Sequence, residues 1–165
     1  MRRTSLAMVG CVLLAGCGGG SHNTTTATQR KSASLNAATQ LEQAVRSAVQ
    51  LNAQLSNYVL WHNSVPSWAV RSTDGPALTS LRGSAAERSA QRLQLRGVSQ
   101  RVAILNIALD PSYLSATAKV RETGSVVPYR RGRRLGHPIR LDEVAQIELH
   151  RTGSSPQFVV WKVRQ

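Results

Sequence analysis

Apolar residues recur every three or four positions at Leu41, Val45, Ala48, Leu51, Leu55 and Val59, with Gln, Asn, Ser and Arg between them. This spacing lays one apolar stripe along a helix and predicts a long amphipathic α-helix. Asn63-Ser64-Val65-Pro66 ends it, because proline disfavours helix at Val65 and supplies no backbone donor. Trp61 and Trp68 flank the break. Ser72-Thr73-Asp74-Gly75-Pro76 is turn chemistry, and Pro76 suits the first turn of a second helix. Leu78, Leu81, Ala85, Ala90 and Leu93 carry that helix to about Arg96-Gly97. Arg88, Arg92 and Arg96 then share one face, a mutually repelling row expected in solvent.

Beyond Gly97 the period shortens to two. Val102, Ile104, Leu105, Ile107 and Leu109 predict a strand rich in branched side chains, and Asp110-Pro111-Ser112-Tyr113 a tight turn. Leu114, Ala116, Ala118 and Val120 alternate with Ser115, Thr117, Lys119 and Arg121, as a strand with one wet face does. A third strand fits Ile139 to Arg151, and a fourth Gln157 to Val163, with Phe158 and Val160 on one face and Val159, Trp161 and Val163 on the other. The chain therefore predicts an α+β domain, two N-terminal helices on a curved four-stranded antiparallel meander. No internal repeat is visible.

The N-terminus carries a different pattern. Arg2 and Arg3 precede an apolar run from Leu6 to Leu14, too short to span a bilayer as a helix and shaped like an export signal. It ends in Leu14-Ala15-Gly16-Cys17, which resembles the lipobox of bacterial lipoproteins at all four positions. The resemblance implies diacylglyceryl transfer to the Cys17 thiol and cleavage after Gly16. Cys11 is a poor rival, since cutting there leaves almost no apolar core to the signal. The expected organisation is a signal peptide over 1–16, a lipidated tether over 17–34 that is rich in Gly, Ser and Thr, and a single domain over 35–165. Cys11 leaves with the signal and Cys17 becomes a thioether, so disulfides, thiol catalysis and cysteine metal sites drop out.

Composition changes the picture through its charge. The chain has 165 residues, 21 Lys and Arg against 8 Asp and Glu, and a net charge of +13. Inside a cell that balance would point to nucleic acid. Export points instead to anionic headgroups, envelope polymers or acidic partner proteins outside the cytoplasm, at a cell or outer membrane, with no nucleic acid among the partners. The densest block is Tyr129-Arg130-Arg131-Gly132-Arg133-Arg134, between Pro128 and Gly136-His137-Pro138. Guanidinium forks suit phosphate and carboxylate, and Tyr129 can stack on one of them. Arg130, Arg131, Arg133, Arg134 and Tyr129 are thus the candidate anion site; charges at a hairpin tip also discourage edge pairing.

The order of two helices, a Trp/Pro break and a terminal antiparallel sheet ending in Phe158-Val159-Val160-Trp161-Lys162-Val163 resembles the NTF2-like (SnoaL-like) fold, with a cystatin-like domain the nearest rival. The NTF2-like resemblance implies a cone with a pocket between helices and sheet, serving enzymes, small-ligand binders and assembly modules alike. Trp61, Trp68, Tyr113, Phe158 and Trp161 are candidates to line it. Enzymatic members hold an Asp/His pair there. The acid-base candidates here are His62, His137, His150, Asp110, Asp142 and Glu148, each with a plainer role in a cap, turn or strand. No HxH, HExxH, acidic calcium loop or GxSxG is present. No catalytic residue, metal or cofactor is expected, and the favoured reading is a lipid-anchored accessory domain that binds an envelope component or partner protein. A small-ligand carrier is the alternative, and an isomerase or lyase stands behind it.

Overall fold

The computed structural model describes the backbone of residues 24–153 and 156–165 and the side chains from Leu35 onward. The signal peptide, Cys17 and the start of the expected tether lie outside the described residues. Helix α1 spans Thr24–His62, a 3₁₀ turn Ser67–Arg71, and helix α2 Gly75–Ala90. Strands β1 (Leu93–Leu109), β2 (Ser115–Arg130), β3 (Arg133–Arg134), β4 (Ile139–Arg151) and β5 (Phe158–Arg164) follow. They form one antiparallel sheet in the order β1-β2-β4-β5, with the short β3 paired to the far end of β2. The α+β class holds, as two helices on an open five-stranded sheet where four strands were expected.

Helix α1 starts within the segment expected as a tether, because no glycine or proline interrupts the chain from Thr24 to His62. Leu35–Gln165 forms one compact unit. Helix α2 stops at Ala90, short of the expected Arg96-Gly97. Arg92 adopts a left-handed φ of 53°, and Leu93 opens β1 opposite Arg130, so long-range pairing overrides the local helical spacing. Arg88, Arg92 and Arg96 consequently share no face. Arg88 donates from Nε to Asn63 Oδ1 (3.2 Å) and from Nη2 to the Val59 carbonyl (3.3 Å), closing the C-terminal end of α1. Arg96 lies on β1 with its guanidinium 5.9 Å above the Trp61 ring.

Bulges explain why alternation along the strands is imperfect. On β1, Ser99 and Gln100 together oppose Gly124, and Leu105 is an extra residue between Ile104 and Asn106. The inward set therefore switches from Val102 and Ile104 to Ile107 and Leu109, leaving Leu105 exposed. Gly124 has φ +145°, and a Cβ there would lie 2.9 Å from Gln100 Cα, so the first bulge needs a glycine opposite it. On β5 a similar slip beside Glu148 and Leu149 puts both Val160 and Val163 toward the helices, correcting the expectation that Val163 points away.

Leu41, Val45, Ala48 and Val49 of α1 share the main core with Ala118, Val120, Ile147, Leu149, Phe158 and Val160 of the sheet. A second cluster of Leu55, Val59, Ala69, Leu78 and Ala85 joins the two helices and the 3₁₀ turn. Between the helices, Ser72-Thr73-Asp74 runs parallel to β5: Asp74 N donates to the Val160 carbonyl (2.9 Å), and Val160 N to the Ser72 carbonyl (2.8 Å). Buried Thr73 Oγ1 donates to Asn52 Oδ1 of α1 at 2.8 Å. Asp74 then accepts from Gly75 N at the start of α2. Thr73→Val removes the donor and strands the Asn52 oxygen in the interior, which costs about 1–3 kcal/mol. A urea unfolding midpoint no lower than that of the parent would contradict this account.

Candidate functional sites

The basic hairpin is built on a two-residue turn. Arg131 and Gly132 both have left-handed φ, 50° and 76°, the backbone that a tight hairpin requires. Arg130 pairs with Arg133 and Tyr129 with Arg134 across it. All four hairpin arginines are exposed. Arg134 Nε donates to the Gly136 carbonyl at 3.2 Å. Tyr129 does not lie on a hairpin arginine; its ring meets Trp61 edge-on, with centroids 5.6 Å apart at 87°. It anchors the hairpin base to the end of α1, where Arg96 covers Trp61. Tyr58 stacks on His62 at 4.2 Å, and Trp68 meets Tyr58 edge-on at 6.1 Å. The sequence located the arginines but not their aromatic neighbours, because Trp61 and Tyr129 are far apart along the chain.

A second feature is a cavity of about 690 Å³ between the helices and the sheet. Val49, Asn52, Ala53 and Asn57 of α1 and Pro76, Ala77, Ser80 and Leu81 of α2 line one side. The sheet side changes character along the strands. Ala118 pairs with Ile147, and Ile147 with Val163; the next inward row is Val120 and Ala145; the one after is Glu122 directly opposite Glu143, with Val102 beside Glu122. Of these sheet residues, all but Ala118 line the cavity, together with Gln100, Lys162 and Gln165.

Glu122 is half-buried, whereas Glu143 lines the cavity as an exposed residue. Among the described residues neither forms an ion pair. Gln165 Nε2 donates to Glu143 Oε2 at 3.2 Å, while Lys162 stands opposite Glu148 on the outward row of the sheet. Burial, and secondarily the negative charge of Glu143, pushes the Glu122 carboxyl above its ordinary range. Beside them the Gln100 amide is buried, and neither its nitrogen nor its oxygen has a hydrogen-bond partner. Gly97 makes room for it, since a Cβ there would collide with Gln100 Oε1 and sit 2.9 Å from Asn57 Oδ1.

The acid-base candidates read from the sequence lie elsewhere. The Asp110 carboxylate accepts from the Ser112 hydroxyl and from Ser112 N, which hold it below the usual carboxylate range. Asp142 points away from the cavity and pairs with Arg121 at 2.8 Å, which lowers its pKa. Glu148 pairs with Arg164 at 2.7 Å. His150 stacks on Trp161 with centroids 4.9 Å apart, His62 lies against Tyr58, and His137 is exposed in the loop after β3. None of the six lines the cavity. The aromatics expected to line it do not either: Phe158 is core, Trp68 packs against the helix cluster, and Tyr113 lies in the β1–β2 turn. Trp61 belongs to the hairpin base, and Trp161 covers Gly75 and His150. Among the described residues no group of three or more His, Cys, Asp or Glu converges as metal ligands would.

The fold is similar to that of the intermembrane space region of the chloroplast protein ARC6. The likeness has a TM-score of 0.62 at 10% sequence identity and covers 74% of this chain and 93% of that one. It is a likeness of fold. No protein-family profile and no curated protein matches the chain. No helix among the described residues is long and apolar enough to cross a membrane.

The signal that picks out the cavity acids is parity. Glu122 continues the inward series Ala116, Ala118, Val120, and Glu143 continues Ala145 and Ile147 in the other direction. The raised pKa fixes the direction of a pH effect. The fold favours protonated Glu122, so its stabilising effect is greatest at low pH and is lost as pH rises from the unfolded value, near 4.5, through the higher folded value. Facing it is Glu143 from β4; Lys162 of β5 pairs in register with Glu148 on the other face of the sheet, and the residues lining the cavity from α1 and α2 are uncharged. Glu122→Gln is therefore expected to stabilise the protein at pH 7 by roughly 0.2–1 kcal/mol, the scale of a relieved like-charge pair. Thermal melts should show that gain shrinking toward pH 4; a gain that grows on acidification would reverse the assignment.

Proposed function

We propose that this chain is a lipid-anchored, extracytoplasmic accessory domain that rests on an anionic phospholipid surface through its basic hairpin. One observation carries the reading: four exposed guanidiniums stand on a tight turn whose base is tied through Tyr129 to Trp61. Arginine forks bind phosphate in two-point contacts, and indole and phenol rings favour the boundary between headgroups and acyl chains. A diacylated Cys17 holds the domain near such a surface, so the hairpin need only orient it. The similar region of ARC6 comes from an intermembrane space, which agrees with work beside a membrane.

The cavity favours a second reading, that of an NTF2-like carrier or sensor of a small ligand. The Asp/His pair of the enzymatic members has no counterpart there, since neither residue type lines it. Ligand carriage is the form of this reading we propose.

The membrane reading is tested on the chain carrying Cys17→Ser, so that no acyl group contributes. Sedimentation with vesicles containing phosphatidylglycerol should exceed that with phosphatidylcholine alone and should fall at high salt. Changing Arg130, Arg131, Arg133 and Arg134 together to Ser should weaken binding at least about ten-fold, since each basic residue near such a surface contributes about 1 kcal/mol. Equal sedimentation of the variant and the parent would refute the hairpin's role. Retention on wall polymer in place of vesicles would redirect it.

A further inference from the structure

We infer that the cavity between the helices and the sheet binds an amphipathic amine, with its cationic head at Glu122 and Glu143 and its apolar body over Val120, Ala145 and Ile147. The inference rests on the cavity being a ligand site and adds the chemical class of the ligand.

Size comes first. A cavity of about 690 Å³ falls within the roughly 300–1,000 Å³ of pockets that enclose small organic ligands. Its floor then separates by polarity along a single direction. Adjacent inward rows of β2 and β4 run from Ala118 and Ile147 through Val120 and Ala145 to Glu122 and Glu143. A ligand lying along these strands meets hydrocarbon at one end and two carboxylates at the other.

The charge at the polar end has one sign. Two glutamates occupy directly opposed positions on neighbouring strands, where like charges repel. The protein holds 21 basic residues, yet among those described none forms an ion pair with either carboxylate. Asp142 and Glu148, on the same strand, each have an arginine partner. The cavity pair is thus a cation-seeking site left open in a strongly cationic molecule. An anionic or neutral head would leave the repulsion in place, whereas an ammonium removes it and donates to both carboxylates.

The Gln100 amide supplies an independent observation. Both of its polar atoms are buried at the cavity wall without a partner, and a buried amide is costly unless it is hydrogen-bonded. Two features of the backbone make its position possible: Gly97, where a side chain would displace the amide, and Gly124, which accommodates the bulge that carries Gln100. Both atoms are closed to solvent, so the amide meets an ammonium by turning its side chain toward the cavity. Lys162 does not fill this place, because its register opposite Glu148 sets it on the outward face of the sheet.

The test uses the full chain carrying Cys17→Ser and three probes with the same hydrocarbon tail, decylamine, decanol and decanoate, each below its micelle concentration. Calorimetric titration is done at salt sufficient to screen the surface arginines. Decylamine should bind at least about ten-fold more tightly than decanol, the scale of a charge-assisted hydrogen bond, and decanoate most weakly. Glu122→Gln with Glu143→Gln should abolish the preference for decylamine over decanol; these near-isosteric changes relieve repulsion, and a thermal melt verifies the fold. Ala145→Phe, which fills the apolar floor, should weaken decylamine and decanol alike. Equal binding of decylamine and decanol by the parent overturns the amine and leaves the cavity reading standing. Failure of all three probes to bind, or binding untouched by Ala145→Phe, overturns both.

Discussion

Two backbone hydrogen bonds between Ser72–Asp74 and Val160 hold the helical layer to the sheet edge. The segment between the helices has few other ways to satisfy its peptide groups once Thr73 and Ser72 are buried. Pairing it to β5 solves that problem and sets where α1 and α2 stand. Thr73 reaches Asn52 in the middle of α1, and Asp74 caps the start of α2. One tripeptide thus positions both helices against the same strand, and the cavity is the space left between those helices and the next strands.

Bulges decide what that space contains. Without the irregularity at Ser99 and Gln100, strict alternation would carry a different residue to the cavity wall; with it, a polar amide is held there by the absence of side chains at Gly97 and Gly124. The slip on β5 likewise turns Val163 inward. The cavity's polar and apolar ends therefore depend on two local departures from regular pairing.

The sequence carried much of the architecture. Helical spacing from Leu41 to Val59, the proline break, Pro76 at the start of α2 and the span Ile139–Arg151 of β4 all match the structure. Local pattern failed where distant pairing decided the outcome: Leu93 fits a helix by spacing yet belongs to β1 because Arg130 lies opposite it. The sites were legible to different degrees. Four arginines around one glycine show themselves in a single stretch of chain, whereas Glu122 and Glu143 are each ordinary strand residues until register sets them face to face. Gln100 was beyond reach, since its burial follows from a bulge that no local periodicity announces.

Strand β1 forms one border of the sheet, and among the described strands only β2 pairs with it. A border of this length, Leu93–Leu109, offers a row of free amides and carbonyls on which a second copy could extend the sheet. The Ser99–Gln100 bulge that shapes the cavity and a second irregularity at Leu105 interrupt that row, and Arg96 and Arg101 add repelling charge along it. The irregularity that sets the cavity wall thus also keeps copies of the domain from zipping together edge to edge.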